Sequence, residues 1–331
     1  MSDVSRETLN DEPQFETATD VINRIFSSTS KDSASVGASI ADEKNRLENL
    51  AHENFARPAR TRYLAVANQK GGVGKTTSSV NLAAAFAEAG MNVLVLDMDP
   101  QGNASTALGA EHGADTLSLY DVIEGRAQIS EAIQVCPDFD NLDVVPSTID
   151  LSGAELEIAG LDNRVYLLRD QLQKFIAESE KHYDYVIIDC PPSLGLLVLN
   201  SLCAVHEVII PIQAEYYALE GLGQLLRTIQ LVQKSMNRQL VISAIVITMY
   251  DRRTLLSQEV YQEVEQHYAS LLLKTTIPRA VRISEAPSFA QSVIAYDSRG
   301  AGAIAYREAA LEINKKSNNI FKLLDRLKKE Q

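Results

Sequence analysis

The segment from Lys70 to Thr77 constrains the fold of this chain more than any other. It reads Lys-Gly-Gly-Val-Gly-Lys-Thr-Thr and lies between an apolar run, 63–67, and an alanine-rich run, 76–89, that is followed by Gly90. The first run is typical of a buried strand and the second of a helix. A glycine-rich turn between a strand and a helix presents backbone N–H groups and the positive end of the helix dipole to an anion. The sequence therefore predicts a phosphate-binding loop in an α/β domain.

This loop departs from the usual phosphate-loop pattern at one position. In G-x-x-x-x-G-K-[ST] the lysine reaches phosphate oxygens and the hydroxyl residue ligates Mg²⁺. Gly74, Lys75 and Thr76 match the second half of the pattern, but Gln69 stands where the first glycine would fall. A second lysine, Lys70, enters the loop instead. We expect nucleotide contacts from the whole segment, namely Lys70, Gly71, Gly72, Val73, Gly74, Lys75, Thr76 and Thr77.

Apolar runs alternate with longer helical patterns along the rest of the chain. Further strands are predicted at 93–97, 142–146, 185–189, 207–211, 240–248 and 272–277, and helices at 163–179, 219–236, 255–270 and 303–329 with a break near 317–319. Nearly continuous apolar strands that alternate with helices form mostly parallel sheets covered on both faces. The predicted class is α/β, a mostly parallel sheet of about seven or eight strands flanked by helices, as in P-loop NTPases.

Composition narrows the function classes. The chain has 331 residues and a formal net charge of −13, which argues against a generally basic nucleic-acid binder but allows a local basic patch. Its three cysteines, 136, 190 and 203, fit no metal or redox spacing, so we expect reduced core thiols in a cytoplasmic protein. No run is long and apolar enough for a membrane span, and the first residues do not resemble a secretory signal.

The first 60 residues differ from the remainder. They hold 7 basic and 11 acidic residues and few apolar ones that could pack. We predict a disordered or partly helical acidic extension over 1–60, with short helices at 20–26 and 41–55, followed by the phosphate-loop domain at 61–331. Two roles stay open for the extension: a tail that affects solubility only, and a segment for partner docking or self-association.

Three aspartates follow predicted strands. Asp97 ends the strand at 93–97 and Asp99 follows two residues later, and Asp189 ends the strand at 185–189. Carboxylates at the carboxyl ends of parallel strands point into the crevice where α/β proteins bind ligands. Asp189 suits a water-mediated magnesium role, together with the Thr76 hydroxyl. The alternative for Asp97 and Asp99 is a solvated turn without a functional role, because Asp-Pro-Gln-Gly also favours turns.

The loop sequence resembles that of the deviant-Walker-A ATPases, and the longer pattern resembles the ParA/Soj chromosome-partitioning branch. The resemblance covers about 250 residues, from Leu64 to Ala310, and is carried by the segments 68–77, 97–104, 189–195, 215–221 and 277–288. It departs from the branch at Ala280, where asparagine is common beside the nucleotide base, and in the first 60 residues.

The resemblance implies roles for individual residues. Lys70 matches the lysine that contacts nucleotide phosphate across a nucleotide-sandwich homodimer, and Asp99 matches the aspartate that orients the attacking water. Lys75 completes the implied catalytic set, Asp97 belongs near the magnesium ion or its water shell, and backbone groups of Pro278 and Ala280 contact the base. The implied cofactors are ATP and Mg²⁺.

The resemblance also implies partners and a setting. Proteins of this branch bind DNA non-specifically as ATP-bound dimers, in the cytoplasm on the nucleoid, and a ParB-type partner stimulates their slow hydrolysis. We expect the DNA surface to include basic residues after the strand at 240–248 and around the sequence 274–282. The candidates are Arg252, Arg253, Lys274, Arg279 and Arg282.

Two alternatives are kept. The tail at 320–329 is an amphipathic basic pattern, as in MinD-like ATPases that bind a membrane surface, although a terminal helix packed on its own domain is more common. A ParA-like ATPase that positions another cargo would have the same biochemistry. A metal-cluster reductase is disfavoured, because Cys136 and Cys203 lie in no matching motif.

Overall fold

The computed structural model describes residues 36–215 and 218–329, and a seven-stranded sheet runs through them. The sheet has the order β3-β4-β2-β5-β1-β6-β7, and every pairing is parallel except β3 with β4. This confirms the predicted mostly parallel α/β sheet. The strands are β1 Arg62–Val66, β2 Val93–Asp97, β3 Gln134–Val135, β4 Leu142–Val145, β5 Tyr185–Asp189, β6 Glu207–Gln213 and β7 Val241–Thr248.

Helices follow most strands and cover both faces of the sheet. In the described ranges they are α1 Val36–Ala51, α2 Lys75–Glu88, α3 Asn103–Ala107, α4 Leu119–Ile123, α5 Ile129–Ala132, α6 Leu151–Ile158, α7 Leu167–Glu178, α8 Leu196–Ala204, α9 Ala218–Ser235, α10 Leu255–Tyr268, α11 Val281–Glu285, α12 Val293–Tyr296, α13 Ala301–Lys315 and α14 Ser317–Lys329, with a 3₁₀ turn at Ala286–Phe289. The same part of the chain contains no helix that is long and apolar enough to cross a bilayer.

Strand alternation divides the core into two layers. On β2, Leu94 and Leu96 pack into one apolar cluster while Val93 and Val95 pack into the other. Successive side chains of a strand point to opposite faces, so a strand covered on both sides must be apolar at every position. The layer that contains Val93 and Val95 includes α2 and α13, and the opposite layer includes α7, α8 and α9.

The strand order sets the position of the candidate site. β5 lies between β1 and β2, and Asp189 at its end pairs in register with Val66 on one side and Asp97 on the other. The three carboxyl ends therefore meet at one edge, where the loop after β1 and the aspartates after β2 and β5 converge.

The predicted strand at 272–277 is wrong. The segment follows the outer edge of β7 but contacts it only through isolated bridges near each end. Between the bridges, the backbone N–H groups of Lys274 and Thr275 donate to the carboxylate of Glu312 at 2.9 and 2.8 Å. A side chain from α13 thus takes the donors that a continuous ladder would need. The two-residue strand β3 was missed because it is too short to show a period.

Part of the predicted extension packs on the domain. Arg46 of α1 makes a bidentate ion pair with Glu308, and Asn314 bonds to both backbone groups of Ala56. The Phe55 ring meets Phe86 of α2 edge to face, with centroids 6.3 Å apart. Residues 42–60 therefore lie along α13 and reach the helix that follows the glycine-rich loop. The predicted helix at 20–26 lies outside the described residues, and the predicted boundary at 60/61 stays a prediction.

The final helix also packs on the domain. The predicted break falls at Lys316, between α13 and α14. Ile320, Phe321 and Leu324 are buried with Val241 of β7 in a small separate cluster. The junction is fixed from the sheet, because the buried Arg62 guanidinium donates to the Ile313 carbonyl at 2.6 Å.

We expect the Phe55→Ala variant to lower the free energy of unfolding by about 1–3 kcal/mol, because the ring is half-buried against the core. Urea unfolding would measure the change, with exposed His52→Ala as the matched control from the same segment. Equal unfolding midpoints for the Phe55→Ala variant and the unaltered chain would contradict the packing of this segment.

Candidate functional site

The glycine-rich loop is held by hydrogen bonds to two other strands, β6 and β7. Gly72 and Gly74 have φ values of 74° and 84°, in the left-handed region that favours glycine. The Thr248 hydroxyl at the end of β7 lies 2.8 Å from the Val73 carbonyl oxygen. Asn68 accepts from the Lys70 N–H at 3.0 Å and donates to the β6 backbone. These supports keep the loop in shape without a ligand, and sequence reasoning assigned no role to Thr248.

Lys75 supplies the buried cation of the loop. Its side chain is 7% exposed, and its Nζ lies 3.3 Å from the Lys70 carbonyl oxygen. Burial lowers the pKa of Lys75, while the negative charges of Asp189 and Asp99 oppose that shift. Among the described residues no carboxylate oxygen lies within 4 Å of this ammonium group, an arrangement suited to an anionic ligand.

The start of α2 is open to such a ligand. Gly74 is its N-cap residue, and no described side chain caps it. The first N–H groups of a helix have no partner within the helix, so together with the helix dipole they bind anions. Thr76 and Thr77 lie in this first turn, which is where the predicted phosphate contacts fall.

Asp189 joins the sheet to α2. Its two carboxylate oxygens accept from the hydroxyls of Thr76 at 2.8 Å and Ser79 at 2.7 Å. Burial, and then the neighbouring charge of Asp97, raise the pKa of Asp189 to about 7. The Thr76 hydroxyl and this carboxylate form an all-oxygen pair beside the loop, the donor type that Mg²⁺ prefers. Sequence reasoning missed Ser79, because its spacing from Thr76 is informative only once α2 faces β5.

Asp97 holds the neighbouring loop. One carboxylate oxygen accepts from the Ser105 N–H at 2.8 Å and its hydroxyl at 2.7 Å, and the other accepts from the Asp99 N–H at 3.1 Å. Burial raises the pKa of Asp97 to about 6. These bonds use both oxygens to fix the turn after β2. The role of Asp97 near a metal or its water shell stays a prediction.

Asp99 lies on that fixed turn at the edge of the sheet. It is 6% exposed, and one of its carboxylate oxygens accepts from the Gln101 N–H at 3.0 Å. Its carbonyl oxygen accepts from the Gly102 N–H at 2.9 Å. Hydrogen bonds to backbone N–H groups therefore fix the direction of the Asp99 side chain. A residue that orients a small molecule needs such a fixed direction.

Lys70 is paired with a carboxylate. Its Nζ lies 3.0 Å from the Glu215 carboxylate, and both side chains are partly exposed. Glu215 is itself held by Gln213 at the end of β6, at 2.6 Å. The second lysine of the loop thus has an ion-pair partner at the rim of the site. Sequence reasoning did not identify Glu215 as that partner.

A cleft of about 290 Å³ opens beside the start of α2. Its walls come from α2, α3 and the segment 283–293, and the residues lining it include Thr77, Asn81, Asn103, Thr106, Ile283 and Pro287. Pro278 and Ala280, the predicted base contacts, are outside this lining. Pro278 pairs with Tyr250, and Ala280 is the N-cap of α11, the helix that carries the lining residue Ile283.

The five basic candidates are exposed and belong to two neighbouring segments. Tyr250, which precedes Arg252 and Arg253, bridges to Pro278 in the segment that carries the other three, Lys274, Arg279 and Arg282. Arg253 forms a bidentate pair with Asp251 and lowers the pKa of that carboxyl to about 2. Arg282 donates to Glu285 at 3.0 Å. Two of the five positive charges are therefore partly balanced.

We expect Lys75→Ala to abolish nucleotide binding, because the loop loses its buried cation. Isothermal titration with ATP and Mg²⁺ would measure this. Lys181→Ala, which removes a lysine that pairs with the Asp143 carboxylate on β4, is the control. An unchanged affinity for ATP in the Lys75→Ala variant would refute the phosphate-loop assignment.

Comparison with known proteins identifies the family. The family described as an AAA domain matches residues 61–242. The sporulation initiation inhibitor protein Soj of Bacillus subtilis is 48% identical over 76% of this chain and 97% of its own, and the chromosome partitioning protein ParA of Caulobacter vibrioides is 48% identical over 76% and 93%. A Mycobacterium smegmatis structure described as cobyrinic acid a,c-diamide synthase, with bound ADP and magnesium, matches with a TM-score of 0.65 and 40% identity over 76% of this chain and 92% of that one. The chain therefore belongs to the ParA/Soj family of chromosome-partitioning ATPases.

Proposed function

We propose that this chain is an ATP-dependent switch that dimerises around nucleotide and then binds double-stranded DNA without sequence preference. A ParB-type partner stimulates its slow ATP hydrolysis and so releases it, and the cycle drives partitioning of a chromosome or plasmid. Its place is the cytoplasm, on the nucleoid. The observation that carries the proposal is the pair of lysines in one loop, one buried and one at the rim.

Nucleotide fits the loop through charge and open donors. Lys75, the uncapped start of α2 and the left-handed glycines present positive charge and N–H groups to phosphates. Thr76 and Asp189 would hold magnesium, which neutralises charge on phosphate oxygens when bound. The bound ADP and magnesium in the Mycobacterium smegmatis relative support both cofactors. The base would enter the cleft beside α2, with Pro278 and Ala280 at its entrance.

Hydrolysis needs a positioned water, and Asp99 is the residue proposed for that role. Its carboxylate lies on a turn fixed from both sides, at the edge where the loop and Asp189 meet. Phosphoryl transfer depends mainly on positioning and on stabilising charge, so an aimed carboxylate close to a buried lysine suits it. Lys75 would stabilise the charge on the phosphate oxygens.

Dimerisation would complete the charge pattern through Lys70. Lys75 already serves the nucleotide of its own subunit, whereas Lys70 is held at the rim by Glu215. A partly exposed ion pair of this kind contributes about 0–1 kcal/mol, so the phosphates of a second copy can displace Glu215 at little cost. ATP then becomes part of the interface, and loss of its terminal phosphate weakens the dimer.

The DNA surface would be the basic segments around Tyr250 and Pro278. Arg252, Lys274 and Arg279 are exposed, and Arg253 and Arg282 can exchange their carboxylate partners for phosphates. A dimer doubles the number of phosphate contacts, so DNA affinity should rise steeply with dimer formation.

The two alternatives differ in support. Membrane binding through the tail would require α14 to leave the domain, because Ile320, Phe321 and Leu324 pack against Val241. The packed helix therefore favours the DNA-bound switch. A ParA-like ATPase for another cargo has the same chemistry. Co-sedimentation with DNA and with anionic vesicles, in ADP, ATP and a slowly hydrolysed analogue, tests the proposal: ATP-dependent retention on vesicles but not on DNA would overturn it.

We predict that Asp99→Ala accumulates an ATP-bound dimer with little turnover, since nucleotide still binds while the water is not oriented. Size-exclusion chromatography with ATP and a phosphate-release assay would measure both properties. Asp115→Ala, at an exposed position, is the control. Normal turnover in Asp99→Ala would exclude the water-orienting role.

Arg253→Glu and Arg282→Glu should each weaken retention on DNA while leaving ATP affinity unchanged. Each lost phosphate contact lowers the dependence of log affinity on log salt by about 0.9. Arg169→Glu is a matched control, because Arg169 also pairs with a neighbouring aspartate, at 2.8 Å, but on α7. If both variants keep the original retention and salt slope, the DNA surface lies elsewhere.

A further inference from the structure

The loop that carries Asp99 turns back at Gly102, and His112 lies directly against that turn. Gly102 has a φ of 65°, and a Cβ built on it would lie 2.9 Å from the Nδ1 atom of His112. Real Cβ atoms essentially never approach a neighbour so closely. The imidazole ring therefore fills space that only a glycine at position 102 leaves free.

The ring is also hydrogen-bonded to the helix that follows the turn. The Oγ1 atom of Thr106 lies 3.0 Å from the Gly102 carbonyl oxygen and 2.9 Å from Nε2 of His112. A hydroxyl has one proton, and Thr106 donates it to the carbonyl, so it accepts from Nε2–H. The neutral Nε2–H tautomer and the imidazolium both provide that donor. A chain of bonds thus runs from His112 through Thr106 to Gly102.

Gly102 passes this restraint on to Asp99. Its N–H donates to the Asp99 carbonyl oxygen at 2.9 Å, which closes the turn behind the carboxylate. On the other side, the Asp99 N–H donates to Asp97. Two sets of hydrogen bonds therefore fix the turn. Asp97 holds it from the sheet, and the bonds from His112 through Thr106 hold it from the other side.

We propose that His112 is a positioning residue for ATP hydrolysis, acting through Thr106 and Gly102 to hold the Asp99 carboxylate in line with the attacking water. The inference rests on the proposed role of Asp99. His112 is not among the described residues that line the cleft beside α2; its Nε2 bonds to Thr106, which is one of them. It should therefore affect turnover and not nucleotide affinity.

The decisive experiment compares His112→Ala, His112→Gln and the unaltered chain in single-turnover hydrolysis with saturating ATP and Mg²⁺. Loss of one neutral hydrogen bond corresponds to about fivefold in rate, and a misplaced carboxylate adds to it. We expect His112→Ala to hydrolyse ATP about five- to tenfold more slowly, with ATP affinity within about twofold. Gln can place an amide N–H near the position of Nε2, so His112→Gln should recover most of the rate.

His267→Ala is the matched control, because that histidine is exposed on α10 and its Nε2 lies 3.2 Å from the Glu263 carboxylate. If His112→Ala does not fold, His112→Phe takes its place: it keeps a ring beside Gly102 but has no N–H donor, so it should lower the rate to a similar extent. A rate within twofold of the unaltered chain in the folded variant would overturn the proposal. So would a loss of ATP affinity that matches the loss of rate.

Failure of this inference can be told apart from failure of the proposed function. If Asp99→Ala stops hydrolysis while His112→Ala does not slow it, only the positioning role is lost. If Asp99→Ala hydrolyses ATP normally, the water-orienting role fails first, and any effect of His112→Ala must arise elsewhere.

Discussion

The whole site depends on the buried carboxylate of Asp189. A buried charge is costly unless hydrogen bonds and counter-charges surround it. Both its oxygens are satisfied by hydroxyls of Thr76 and Ser79, one helical turn apart on α2. The hydrogen bonds that offset the cost of burying this carboxylate also fix the angle at which α2 leaves the sheet. That angle sets the direction of the open N–H groups at its start and the place of Lys75 between loop and strand. Asp97, at the end of the neighbouring strand β2, fixes the loop after β2 in a similar way, because it accepts from the N–H and the hydroxyl of Ser105.

Much of this arrangement could be predicted because it is local. The loop at 70–77, the apolar runs of β1, β2 and β5, and the aspartates that end two of them are each visible in a short window, and parallel strands must bring their carboxyl ends to one edge. The partners were not predictable in this way. Thr248 reaches Val73, and Glu215 reaches Lys70, only through the register of β6 and β7 beside β1. Such contacts depend on strand order, which one sequence does not reveal.

The segment before β1 and the junction between α13 and α14 pack near the amino ends of the strands, at the opposite edge of the sheet from the site. Arg62 and Glu207, the first residues of β1 and β6, form a buried ion pair at 2.8 Å, and the same guanidinium bonds to the Ile313 carbonyl. Phe55 continues this contact to Phe86, whose ring stacks on Tyr185 at 3.9 Å. The helix that begins at the phosphate loop therefore carries near its end a phenylalanine that lies between Phe55, from the segment before the domain, and Tyr185 of β5.

The Glu312 carboxylate, which bonds to the segment 272–277, also helps to protect the outer edge of the sheet. β7 is the last strand of the sheet, and an open sheet edge is a template on which another chain can add a strand. The segment 271–278 covers that edge, and Glu312 occupies the spare N–H groups of Lys274 and Thr275 with a negative charge. The edge is thus blocked against pairing with a strand of another chain, although the segment 271–278 is not itself a regular strand. Without this cover, copies of the chain that meet at high local concentration would present bare strand edges to each other.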